Sequence, residues 1–195
     1  MAIDFQPVDN NEVILHEFAQ QFSVQDLREA THASIDHILS IIDGLSDTQV
    51  TFVPYDPEAN DPHASPEEQY VGWTLAHLAV HVTASSEEYA TYSSFLARGI
   101  PYGPEPRLRY ETHWTELTTA AQVIQRLEES RRMRIAYLDA WPDTPHFDVY
   151  REITDGYREK FGEQNAKSSF LLGLWHEVGH HAQIAEVARQ AREAK

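Results

Sequence analysis

Apolar residues recur at helical spacing in four long stretches of the chain, with proline-rich or polar segments between them. The first stretch runs from Ser23 to Leu45. Its apolar side is Leu27, Ala30, Ser34, Ile38, Ile41, Ile42 and Leu45, the repeat expected of an amphipathic helix. Ser23 with Asp26 resembles a capping box, with Asp in place of the usual Glu or Gln. A shorter segment, Glu12 to Phe22, reads as a preceding helix. Residues 54–69 carry Pro54, Pro57, Pro62 and Pro66 among acids, the composition of a loop. The second helix is predicted from Val71 to Arg98, with Gly99 at its stop and Pro101 beyond. Pro101, Pro104 and Pro106 mark another loop. The third helix is predicted from Thr118 to Trp141. Val123, Ile124, Leu127, Ile135 and Leu138 form its apolar side, and Glu128, Glu129, Arg131, Arg132 and Arg134 its outer side. Residues 143–165 are mixed. Phe147, Val149 and Tyr150 read as a short extended piece, and Gly156 and Gly162 as irregular structure. The last helix is predicted from Ala166 to Ala191, with Asn165 as N-cap.

Strand-type alternation is nearly absent. Four helices of this length with one apolar stripe each predict an all-α fold, a four-helix bundle. The connections at 46–70 and 99–117 exceed typical helix–helix turns. They allow crossovers, so a simple up-down-up-down order does not follow. The length favours one domain over residues 1–195.

Charge narrows the function classes. Fifteen basic residues against 31 acidic ones give a formal charge of −16. Nucleic-acid affinity comes largely from cations that neutralise phosphates, so this surface predicts no nucleic-acid partner. The same sign disfavours anionic membranes, and no run of 18 apolar residues is present to form a transmembrane helix. The stretch MAIDFQPVDNNEV lacks the features of a signal peptide, and the expected location is cytoplasmic. There is no cysteine. Disulfides, thiolate ligands and a cysteine nucleophile are excluded, so a metal must be held by nitrogen and oxygen.

Eleven histidines supply the candidate chemistry. His16, His32, His37, His63, His113 and His146 are scattered and read as surface or capping residues. His176 and His180 differ. Four residues apart on a helix, their Cβ atoms sit about 5–6 Å apart. Two imidazoles there can share one ion, because metal–nitrogen bonds are about 2.0–2.1 Å. His181 is turned about 100° from His180 and cannot join the same ion. The second helix holds another pair, His77 and His81, flanked by apolar residues. Helices packed at about 8–10 Å bring one of these two to the same ion. Three nitrogen ligands and an open position are the geometry of a catalytic metal site.

The stretch from His176 to His180 also spells H-E-x-x-H, the helix signature of zinc metalloproteases, in which the Glu is the base. The extended pattern is missing, because Gln183 and Glu186 stand where its glycine and third histidine would be. Glu177 is left with two readings: a residue that orients a ligand or accepts a proton beside the metal, or a solvated helix carboxylate.

Two segments together resemble the DinB/YfiT superfamily of metal-dependent bundle enzymes. They are Gly72-Trp73-Thr74, with His81 eight residues after the Trp, and Trp175-His176-Glu177-Val178-Gly179-His180-His181-Ala182-Gln183-Ile184. Ala182 stands where Gly or Arg is common in the family. The resemblance implies a bundle in up-down-down-up order with long crossover loops, often a homodimer. It implies metal ligands at His81, His176 and His180, with His77 outside the ligand set. It also implies a small-molecule substrate and transfer or isomerisation through a low-molecular-weight thiol. The alternatives are hydrolysis at the same site, or a non-catalytic metal-binding or stress-response bundle. All-nitrogen ligation suits Zn, Ni, Fe or Cu; Zn or Ni is expected first, then Fe.

Overall fold

The computed structural model describes residues 2–61 and 65–194. His63 and Pro62 lie outside the described residues. Helices α1 (Gln6–Asp9), α2 (Leu15–Ala19), α3 (Val24–Ile42) and α4 (Asp47–Val50) precede α5 (Leu75–Ala97) and α6 (Ala120–Asp139). Then follow α7 (Asp155–Phe161), α8 (Ala166–Gly179) and α9 (His181–Glu193), and no strand occurs among the described residues. None of these helices is long and apolar enough to cross a membrane.

Side-chain caps set where the long helices begin. The Ser23–Asp26 capping box is complete, with Asp26 N–H donating to Ser23 Oγ at 3.2 Å and Ser23 N–H donating back at 2.8 Å. Thr74 caps α5 by accepting from His77 N–H at 3.1 Å. This helix therefore starts at Leu75, later than the predicted Val71. The residues before it are held against the 54–56 loop: a Cβ at Gly72 would lie 2.5 Å from the Pro54 carbonyl oxygen. Thr119 with Gln122 and Asn165 with Ser168 form the capping boxes of α6 and α8. Such caps satisfy backbone N–H groups that a helix leaves unpaired at its start.

The predicted helix at 166–191 is two helices. His180 interrupts the ladder, and its N–H donates to Glu177 O at 3.1 Å, a tighter bond than the α-helical one. Gly179 precedes the break and is a weak helix former. The expected extended piece at 147–150 forms no strand. Its neighbourhood is pinned instead by single backbone bonds, His146 N–H to Ala97 O and Arg151 N–H to Gln164 O, both 2.9 Å. Where Gly156 and Gly162 suggested irregular structure, α7 forms, and Gly162 ends it at φ 77°.

The α5 helix packs between α6 and α8, and α3 packs on the other side of the same two, also touching α9. Ile35, Ile38, Leu75, Leu78, Leu127, Ile184 and Val187 fill one end of the core. Phe18, Leu27, Leu96, Phe170 and Leu171 fill the other. Small residues let α5 and α8 approach closely. A Cβ on Gly173 would lie 3.0 Å from the Ser86 Cα, and the Ser86 hydroxyl donates to Gly173 O at 3.1 Å. One departure from the predicted α6 stripe matters. Arg134, expected on the outer side, is 1% exposed, while Ile124 is 42% exposed.

Candidate metal centre

The close packing of α5 on α8 decides which histidine joins the C-terminal pair. His81, two turns into α5, faces His176 on α8, and their Nε2 atoms are 3.2 Å apart. The ring centroid of His180 lies 5.1 Å from that of His81 and 4.8 Å from that of His176. One ring nitrogen from each of the three fits within a 4.8 Å span. No other group of three or more metal-ligating side chains meets this test among the described residues.

The geometry fits a metal. Two nitrogens bound at about 2.0–2.1 Å around a tetrahedral ion lie roughly 3.3–3.4 Å apart, close to the observed separation. Without a metal, two unprotonated Nε2 atoms could not face each other at this distance. The His176 Nδ1 is buried with no hydrogen-bond partner, so the polar contact this ring makes is the one its Nε2 has with His81. Nδ1 of His180 lies 2.8 Å from the Gln183 side-chain oxygen. As a donor there, it leaves Nε2 free to bind, the usual support for a ligating histidine.

The electrostatics agree. Burial, then the neighbouring His180 and His81, push His176 down to about 3. Burial also lowers His180, against the raising effect of the Gln183 hydrogen bond. Both are therefore neutral at pH 7, as ligation requires.

A cavity of about 770 Å³ opens beside this cluster, lined by His81 and His176 and walled by Trp73, Tyr89, Trp114 and Trp175. His77 lies outside the three-nitrogen group. Its ring stacks between Trp73 at 4.4 Å and Trp114 at 5.4 Å, and burial, followed by His81, lowers it to about 4. His181 points to α3, where its Nε2 lies 3.0 Å from Ser34 Oγ and its ring 4.8 Å from that of His37.

Neither reading of Glu177 fits its position. It is 0% exposed, so it is no solvated carboxylate. It is ion-paired with the equally buried Arg134 at 3.1 Å and accepts from Ser34 at 2.6 Å. The residues that line the cavity do not include it. The protease role that H-E-x-x-H would assign it thus has no geometric support. The sequence profile of the DinB superfamily matches residues 22–184. The chain belongs to the DinB superfamily. Neither curated proteins nor solved structures give a significant match.

The remaining features of this DinB-superfamily site lie on the loop between α5 and α6, where sequence reading assigned no role. Arg107, Arg109, Glu111, His113 and Trp114 all line the cavity. Arg107 binds the buried Glu88 carboxylate through Nε at 3.0 Å, and Leu108 N–H donates to Tyr92 Oη at 3.1 Å. These bonds fasten the loop over the site. Burial works to raise Glu111, but the neighbouring His81, and Arg109 through its hydrogen bonds and its charge, outweigh it and bring it down to about 2. The available signal was local composition: Arg, Glu, His and Trp crowd into 107–114, and loops commonly carry function. Of the scattered histidines, His16, His32 and His146 have polar neighbours away from the site, namely Ser168, Arg131 and Asp148.

Proposed function

We propose that this chain binds one divalent metal ion, zinc or nickel before iron, through His81, His176 and His180. In this reading it transfers or isomerises a substrate by way of a low-molecular-weight thiol. The observation that carries the reading is the convergence of three imidazoles beside a cavity large enough for a small molecule. An ion held by His81, His176 and His180 would lower the pKa of a coordinated thiol and so favour its thiolate near neutral pH. The chain itself has no cysteine to compete for the ion. Trp73, Tyr89, Trp114 and Trp175 offer apolar surface to the reactants and restrict water, while Gln183 holds His180 in the ligating tautomer.

Hydrolysis at the same site is the rival. Glu111 favours it, as an ionised carboxylate on the cavity wall with an oxygen 3.7 Å from His81 Nδ1, able to accept a proton.

Metal analysis after loading, with His81→Ala and His176→Ala beside wild type, tests binding. Equally low metal in all three proteins would sink the proposal. Incubation of the loaded protein with a small thiol and a model electrophile, and separately with a model ester, then separates the chemistries. Thiol consumption that needs metal supports transfer; ester cleavage without thiol use supports hydrolysis.

A further inference from the structure

We infer that Glu111, on the loop between α5 and α6, is a positioning residue for the metal ligand His81, acting as acceptor for its Nδ1–H in competition with Arg109. The inference rests on the metal-binding reading above.

His81 Nδ1 has two polar neighbours of opposite demand. Arg109 Nη2 lies 3.3 Å away and can only donate. Glu111 Oε1 lies 3.7 Å away and, ionised, can only accept. Whichever prevails decides where the ring carries its proton. If Arg109 donates to Nδ1, the proton sits on Nε2 and points at His176 Nε2, 3.2 Å away. His176 must then carry its own proton on Nδ1, the buried atom that has no partner. That arrangement is self-consistent only without a metal, because both Nε2 lone pairs are used up or blocked. If Nδ1–H donates to Glu111, the His81 Nε2 lone pair is free and the three nitrogens can converge on an ion.

Arg109 has an alternative that releases Nδ1. Its Nη2 also reaches the His81 carbonyl at 3.2 Å, and its Nε donates to Glu111 at 2.9 Å. Glu111 therefore plays two parts: it offers His81 an acceptor, and it takes up N–H groups of Arg109, through Nε and Nη2, that could otherwise donate to the ring. The loop that carries both residues is fastened by Glu88 and Tyr92 of α5, the helix that also carries His81. Carboxylates that accept from a ligating histidine fix its tautomer and raise metal affinity.

The test is zinc binding by full-length protein, read by chelator competition and by nitrogen-15 spectra of the imidazoles, with His81→Gln to assign the ring. In zinc-bound wild type, His81 is expected to carry its proton on Nδ1. Glu111→Leu is expected to weaken zinc by about 10–100-fold, the usual cost of losing such a partner. Glu111→Gln keeps an accepting oxygen without charge and should retain most of the affinity. If charge alone mattered, it would fall as far as the Leu variant. Removing Arg109 as well, in Glu111→Leu/Arg109→Leu, should recover part of the loss. Wild-type zinc binding with an undiminished Glu111→Leu variant, or a Gln variant as weak as Leu, overturns this inference alone. No zinc uptake by wild type overturns the metal reading and this inference with it.

Discussion

Nδ1 of His180 lies 2.8 Å from the side-chain oxygen of Gln183, one turn further along the C-terminal helix. That contact decides which nitrogen of His180 is free, and it does so with one residue that no other part of the site needs. Gln183→Leu should therefore leave the fold intact and lower zinc affinity by about 10–100-fold. Gln183→Glu restores an acceptor and should bind at least as well as wild type. Chelator competition reads both, and an unweakened Leu variant would deny Gln183 this role.

How much of this was legible in the sequence differs residue by residue. His176 and His180 were visible because helical periodicity alone puts them on one side. His81 needed the second helix to be brought alongside, which spacing within one helix cannot supply, and the family resemblance named it. Arg134 was misread because an arginine beside other charges looks like a solvated face. Its burial depends on Glu177 from another helix, and a pairing of that kind leaves no mark on a hydrophobic stripe. Glu111 and Arg109 were out of reach for a different reason. They sit in a loop, whose path is fixed by Glu88 and Tyr92 rather than by any periodic pattern. The break at His180 was also hidden, since a Gly-His step is tolerated inside a helix as well as at its end.

The buried pair of Glu177 and Arg134 should matter to stability rather than to chemistry. Both are essentially unexposed and 3.1 Å apart. Removing one partner strands a charge, a loss of about 3–5 kcal/mol. Glu177→Gln and Arg134→Met are each expected to show a loss of that order in urea unfolding. The double variant should cost clearly less than the two losses added together, because neither charge is then left alone. Additive losses would show that the two side chains do not depend on each other.

Metal-free protein should lose stability on mild acidification. Burial holds His77 and His181 each down to about 4 and His176 to about 3. In the unfolded chain these rings titrate near 6.5. Below that pH the unfolded state takes up protons that the folded state refuses, so stability rises with pH there. The contribution is complete above about 6.5 and is lost as pH falls toward the folded values. Glu111 acts in the same direction only at lower pH, since its own value is depressed from 4.5 to about 2. With a chelator present, Tm should drop by several degrees from pH 7.5 to pH 5. A flat or rising Tm would contradict the burial of these histidines in neutral form.

The close crossing of α5 and α8 links stability to the metal site through one glycine. A Cβ on Gly173 would meet backbone, the Ser86 Cα at 3.0 Å and its carbonyl oxygen at 3.3 Å. Backbone cannot swing aside as a flexible side chain can, so a larger residue must push the two helices apart. Those helices carry His81 and His176, whose Nε2 atoms sit 3.2 Å apart. Gly173→Val should therefore destabilise the protein by about 1–3 kcal/mol, the usual cost of overpacking. Replacing a helical glycine by valine would on its own give back only roughly 0.3–0.5 kcal/mol, so a net loss requires the clash to win. Zinc affinity should fall with it. Gly179→Ala is the control, because a Cβ there meets nothing within 4 Å. That variant should be as stable as wild type or slightly more so. Chemical denaturation and chelator competition on both variants decide the matter, and equal behaviour of Gly173→Val and Gly179→Ala would mean that helix spacing does not set the histidine geometry.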